Sequence, residues 1–410
     1  MRVHVSARLL AICIFTPVLI ASLSACGGGG GSSSIITPPT PPAVTKGYAV
    51  ADSQNNRVLI FNAPFSTNQN ASVVLGQADF THSQLQTTAA NTIGDSTSIA
   101  ADSSGNLYVG DYYSCRVLEF KPPFTNNMNS TVEIGQPDFT SSSTCAVGAN
   151  SFRSVLRVAI DGNGDLWVSD SENTSRILEF VPPLSNGMSA TLVIGQTSLT
   201  STAGCNEGQG LGSPTASSIC GTAGMAFDSS GNLWVGDSNN SRVLEFKPPF
   251  STNMSASIVL GQPNFTTDNT GSVSASTLDE SSSLAFDASG NLWVADATNQ
   301  RVLEFKPPFS NGMAASLELG QPSGTAFTSN NANTSQSGFN YPCAVSFDLS
   351  GNIQVADCQD SRVMIFDPPF SSGMNATTVL GQAGFSGGAA NEGGSIGANT
   401  LDQPDGVTTF

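Results

Sequence analysis

The sequence predicts an all-β fold: a six-bladed β-propeller whose ring is closed by the C-terminal strand. Three observations predict it. One stretch, GNLWVGDSNNSRVLEFKPPFSTNMSASIVLGQPNF at 231–265, recurs six times. The Asp ending its first apolar run is Asp52, Asp111, Asp170, Asp237, Asp296 and Asp357, at steps of 59, 59, 67, 59 and 61 residues. A fixed period of this length is the signature of a repeat architecture. Each copy also reads as four short strands, and four antiparallel strands repeated in a ring make a propeller. Finally, the two ends are complementary. The chain closes with LDQPDGVTTF at 401–410, which matches a first strand, and the first copy begins at its second strand.

The fourth copy shows the strands in order. Strand a is expected at Gly224–Asp228, followed by a Ser-Ser-Gly hairpin turn in which Gly231 supplies positive φ. Strand b follows at Asn232–Asp237 and strand c at Arg242–Phe246. A Pro-Pro-Phe connection then stops pairing. Strand d is expected at Ser257–Leu260, and a long Ser/Thr/Gly/Asn loop leads to the next copy. In register, Phe410 stands at the place of Asp228 and Lys46 at that of Gly231. The C-terminal strand therefore completes the first blade and leaves no open edge to aggregate.

Residues 1–25 read as a signal peptide. Arg2 and Arg8 precede an apolar run at 9–23, too short for a span, that ends in Leu23-Ser24-Ala25-Cys26. This end resembles the bacterial lipoprotein box, which implies lipidation of Cys26 and, with Gly27 following, outer-membrane sorting. Residues 26–45 then form a Gly/Ser/Pro tether, and residues 46–410 the propeller. Net charge is −17. Without Arg2 and Arg8 the chain keeps 12 basic and 31 acidic residues, net −19, which repels phosphate backbones and excludes nucleic acid as a partner.

GNLWVADATNQR at 290–301 and PDGV at 404–407 resemble the NHL-repeat propeller family, over about residues 46 to 410. That resemblance implies the fold. It does not select a function, because the family spans sensors, scaffolds and enzymes.

Most repeated residues read as scaffold. Trp167, Trp234, Trp293 and Tyr108 share one strand-b position suited to packing between blades. Arg57, Arg116, Arg176, Arg242, Arg301 and Arg362 follow the repeated Asp and suit a charge-assisted bond across the b–c turn. Met128, Met188, Met254, Met313 and Met374 recur beside the prolines as gap fillers.

Six cysteines remain after Cys13 and Cys26: Cys115, Cys145, Cys205, Cys220, Cys343 and Cys358. An even count in an exported chain points to disulfides. The repeat map puts all six on the face of the b–c turns and d–a loops, and neighbours there pair as 115–145, 205–220 and 343–358. No CxxC or Cys/His spacing suggests a metal. The d–a loops vary most, and variable loops on a rigid scaffold are where binding resides. The tether leaves from the other face, so the stapled face points away from the membrane.

Little in the chain suggests catalysis. His82 stands alone in a loop, so the His-held metal of the peptide-amidating and streptogramin lyase types of this fold has no ligands, and no Ser-His-Asp context is present. Asp161-Gly-Asn-Gly-Asp165 resembles the start of an EF-hand, with Glu172 twelfth. Leu166 replaces the required Gly, however, so the stretch reads as a hairpin turn. The channel should be lined by Ser98, Arg157, Gly224, Ser283, Ala344 and Gly406. Arg157, with Arg153 nearby, is the exception among small residues. It either pairs with an Asp and caps loop carbonyls, or holds an anionic ligand.

The expected function is a lipid-anchored, extracytoplasmic, monomeric module that binds protein, peptide or glycan through its distal loops, with no metal or cofactor. The alternative is a hydrolase or lyase with a channel site. A surface scaffold without a small ligand is a third reading.

Overall fold

A computed structural model of the chain describes residues 47–410 except 143–144, 270 and 325–326. The signal peptide, Cys26 and the tether lie outside the described residues. Six four-stranded antiparallel sheets, each in the order a-b-c-d, form the blades. Blade 4 is typical: Thr222–Phe227, Leu233–Asp237, Arg242–Phe246 and Ile258–Leu260. Strand a begins two residues earlier than the sequence suggests, because a bulge between Thr222 and Met225 lets Thr222 pair with Asp237. Asp228 falls outside the strand. Its side chain turns back to accept the amides of Ser230 and Asn232, which builds the a–b turn. Strand d is three residues long, and Ser257 is instead held to strand c by its backbone bond to Glu245.

Strand a of each blade packs on strand a of the next, around to the start, so the six innermost strands enclose a channel. Ring closure is as expected. Pro404–Thr409 pairs with Gly47–Asp52, with Val407 opposite Val50 and Thr409 opposite Tyr48. Phe410 N–H donates to the Gly47 carbonyl at 3.3 Å, as Asp228 N–H donates to Asn232 in blade 4. Among the described residues there is no α-helix, and no helix long and apolar enough to cross a membrane.

The core lies in six clusters, one at each seam between blades. At three seams an aromatic triad fills the space. Trp234 packs at 6.0 Å from Phe286 and 4.7 Å from Phe309 of the next blade, and Trp167 and Trp293 do the same with Phe227/Phe250 and Phe347/Phe370. The Trp234 and Trp293 indoles donate to Asp228 and Asp287. Blades 6 and 1 have Gln354 and Ala49 at the Trp position, and other residues compensate. Tyr48 stacks on Phe65 at 3.7 Å, and Phe410 meets Phe124 edge-on at 5.3 Å. The recurring methionines pack against these clusters, half-buried.

Each repeated Arg is fully buried with its Asp. Its Nε donates to the Asp Oδ2 at 2.6–2.8 Å in all six blades. The other nitrogens reach carbonyls of the loops before and after the same blade. Arg301, for instance, holds Ser274 and Thr277 on one side and Phe327 on the other. The Asp Oδ1 completes the clamp by accepting a loop amide, Asp279 N–H at 2.7 Å in blade 5. A buried charge pair needs such saturation to offset its desolvation, and here it fixes the long d–a loops to the blade ends.

Candidate functional site

The loops so clamped surround one mouth of the channel. The disulfides are Cys115–Cys145, Cys205–Cys220 and Cys343–Cys358, as expected, and their Cα separations are 5.5, 4.2 and 6.1 Å. The first joins a b–c turn to a d–a loop, the second closes one d–a loop and the third joins strand a of blade 6 to its b–c turn, and they fit a chain working outside the reducing cytosol.

The expected lining of the channel holds: Ser98, Arg157, Gly224, Ser283, Ala344 and Gly406 all face it. Gly224 has to be small, since a Cβ there would lie 2.6 Å from Ser283 Cα. Arg157 reaches across the channel. Its Nε donates to Ser282 O at 3.2 Å, Nη1 to Thr97 O at 2.8 Å and Leu156 O at 2.9 Å, and Nη2 to Cys343 O at 3.2 Å. One side chain thus ties strand a of blade 3 to those of blades 2, 5 and 6, and most of its donors are engaged by carbonyls. Arg157 lines both the channel cavity and a cavity of about 290 Å³ at the loop-face mouth, and so forms the floor of that mouth. Arg153 stands apart, half-exposed on a loop, 3.9 Å from Glu172 Oε2.

The walls of the mouth are residues that the sequence reading did not single out. The position just before strand a is left-handed in five blades: Asp95 (φ 54), Gly221 (φ 72), Glu280 (φ 62), Tyr341 (φ 67) and Gln403 (φ 48). Four of these are not glycine, and such conformations are costly and concentrate at functional sites. The Tyr341 hydroxyl donates to Glu280 Oε1. Burial together with that bond raises the Tyr341 phenol well above its ordinary value. Asp405 sits beside the Cys343–Cys358 bridge, its Oδ1 3.2 Å from Cys358 Sγ. Burial raises its carboxyl and Arg157 opposes the rise. Asp95 is pushed up to about 7 by burial and by the charges of Asp405 and Asp111, and its buried Oδ1 has no hydrogen-bond partner. Among the described residues, Cys343, Cys358 and Asp405 are the one metal-capable cluster, and the two sulfurs are bonded to each other.

The NHL repeat family matches residues 220–246, which span strands a to c of blade 4. The same strand pattern recurs in the six blades of the ring. The chain is an NHL-repeat β-propeller. No curated protein matches its sequence. Among solved structures, this NHL propeller is similar to a protein of unknown function from Bacteroides caccae, at 12% identity and TM-score 0.50, over 89% of this chain and 99% of that one. It is also similar to a chain of the nidogen/laminin complex (15%, TM-score 0.47, 82% and 97%) and to virginiamycin B lyase from Staphylococcus aureus (11%, TM-score 0.38, 66% of each). At these identities the likeness is one of fold.

Exposed apolar side chains on the loop face add to the picture. Tyr113 follows strand b of blade 2, and Leu85 and Leu211 lie in d–a loops. His82, in the first of these loops, is exposed and paired with Asp79 at 2.7 Å. Asp161–Asp165 is the a–b hairpin turn of blade 3, on the opposite face, where Gly164 N–H donates to Asp161 O.

Proposed function

We propose that this NHL propeller is an extracytoplasmic binding module, lipid-anchored through Cys26, that engages a peptide segment at the loop-face mouth of its channel. The observation that carries the reading is the ring of left-handed, mostly non-glycine residues around that mouth. They hold Glu280 in the cavity wall, with Asp95 within electrostatic reach of Asp405 there, over a floor whose own cation, Arg157, is already engaged by backbone carbonyls. The charge left to an incoming ligand is negative, so the segment carries a basic side chain. Leu85, Tyr113 and Leu211 on the same face offer apolar contact to the rest of a partner. Lipidation rests on the Leu-Ser-Ala-Cys box, and it would turn the loop face away from the membrane.

Two experiments test this. Cys26→Ala should move the protein from the membrane to the soluble fraction, and retention in the membrane would refute the anchor. For the mouth, residues 46–410 are titrated with a pentapeptide alternating glycine and arginine, and with its glutamate counterpart. The basic peptide should bind and the acidic one should not. Asp95→Asn with Glu280→Gln should weaken the basic peptide by at least about tenfold, or 1.4 kcal/mol. Equal binding by that variant would place the site elsewhere.

A further inference from the structure

The six seams are not equally filled. Each seam draws on three positions: the strand-b aromatic of one blade, the last strand-a residue of the next, and the residue after its prolines. Trp167, Trp234 and Trp293 each meet two phenylalanines there. The seams on either side of blade 1 lack the Trp, but Tyr48 and Phe410 enter the gaps. At the seam between blades 2 and 3 all three positions shrink, to Tyr108, Ile160 and Leu184, and the further aromatic ring that reaches the gap, Phe227, comes from blade 4. A cavity of about 800 Å³ opens on the a–b turn face, lined by these three together with Ala101 and Val132.

The rim of that cavity is acidic. Asp102, Glu119, Asp161 and Asp228 line it, against Lys121 alone, whose ammonium is 3.3 Å from Glu119 Oε2. Asp161 differs from its counterparts. In blades 2, 4, 5 and 6 an Asn amide donates to Oδ2 of the turn Asp, at 2.7, 2.8, 2.8 and 2.9 Å. Blade 3 has Asp165 in that place, so Asp161 gains a like charge where the others gain a donor. The residue after strand c differs too: Lys121, Lys247 and Lys306 in blades 2, 4 and 5 are matched in blade 3 by Val181. The seam that lacks its aromatic filling therefore also has the least compensated carboxylate at its rim.

We propose that this cavity is a second binding site, for an aromatic ring joined by a short linker to a protonated amine. The ring takes the place that phenylalanines occupy at three other seams, and the ammonium pairs with Asp161. An aromatic anion would meet the same carboxylates and be rejected. The site lies on the opposite face from the channel mouth and does not depend on the reading given to that mouth.

The test is calorimetric titration of residues 46–410 with benzylamine and with phenylacetate at pH 7. Benzylamine should bind and phenylacetate should not. Ile160→Phe with Leu184→Phe rebuilds the triad of the other seams, so it should raise Tm and weaken benzylamine at least about tenfold. Asp161→Asn, which leaves the core untouched, should weaken it as well. Asp95→Asn with Glu280→Gln at the mouth should leave it unchanged. No binding of benzylamine at low-millimolar concentration would overturn the proposal. So would equal binding of phenylacetate, or unchanged affinity in both the filled variant and Asp161→Asn.

Discussion

Asp165 shows how much one side chain departs from its repeat. Burial and the charges of Asp161 and Glu179 raise its carboxyl above the ordinary value. A carboxyl whose folded value is raised favours the fold when protonated, and that contribution is lost as pH rises through the folded value. Asp165→Asn should therefore stabilise the protein by about 1 kcal/mol at pH 7, through the amide bond to Asp161 that four other blades make. The gain should fade below pH 4, and thermal melts across that range check it. Asp95 follows the same sign. Its folded value of about 7 means that stability falls as pH rises from about 4 through 7, and Asp95→Asn should flatten that slope in a pH series of melts. The two residues differ in how far the sequence shows them. Asp165 stands out against the Asn of its neighbours. Asp95 does not, because the position before strand a is Asp, Ser, Gly, Glu, Tyr and Gln in turn around the ring, with no repeat to depart from. Only the backbone turning left-handed there brings these residues together at one mouth.

At the scale of the element, the strands and their seams were legible because the same residue types recur at the same place in each copy. The Asp–Arg pair and the strand-b Trp behave as their positions imply, and each carries a definite cost of removal. Trp234→Ala should destabilise by about 3–5 kcal/mol, by emptying a fully buried indole site against Phe286 and Phe309. Arg301→Met should cost a similar ~3–5 kcal/mol, since it strands the Asp296 carboxylate in the interior and frees the carbonyls of Ser274, Thr277 and Phe327. Chemical denaturation of the single variants measures both. Strand limits were less legible. The bulge near the start of strand a is a backbone feature that residue identity does not announce, and it moved the expected start of that strand by two residues. The use of Tyr48 and Phe410 as replacement packing was equally hidden, since each occupies a position that in blade 4 belongs to Leu233 or Asp228.

At the scale of the whole molecule, closure by the C-terminal strand is the device that makes six blades one ring. Removing residues 400–410 would expose the edge of Gly47–Asp52 and remove Val407 and Leu401 from the seam between blades 6 and 1. The truncated protein should aggregate or melt far below the parent, and light scattering during a melt reads both. Closure also separates the two faces. The clamped and stapled loops lie on one, and the a–b turns and the Gly47–Phe410 pairing lie on the other. Amide hydrogen exchange of residues 46–410 with and without the basic peptide tests most directly whether the loop-face mouth is the binding surface, as proposed. Protection is predicted in the segments that lead into strand a, at 94–97, 279–283, 340–344 and 402–406. Protection confined to the a–b turns, at 102–106, 161–165 and 228–232, would contradict it.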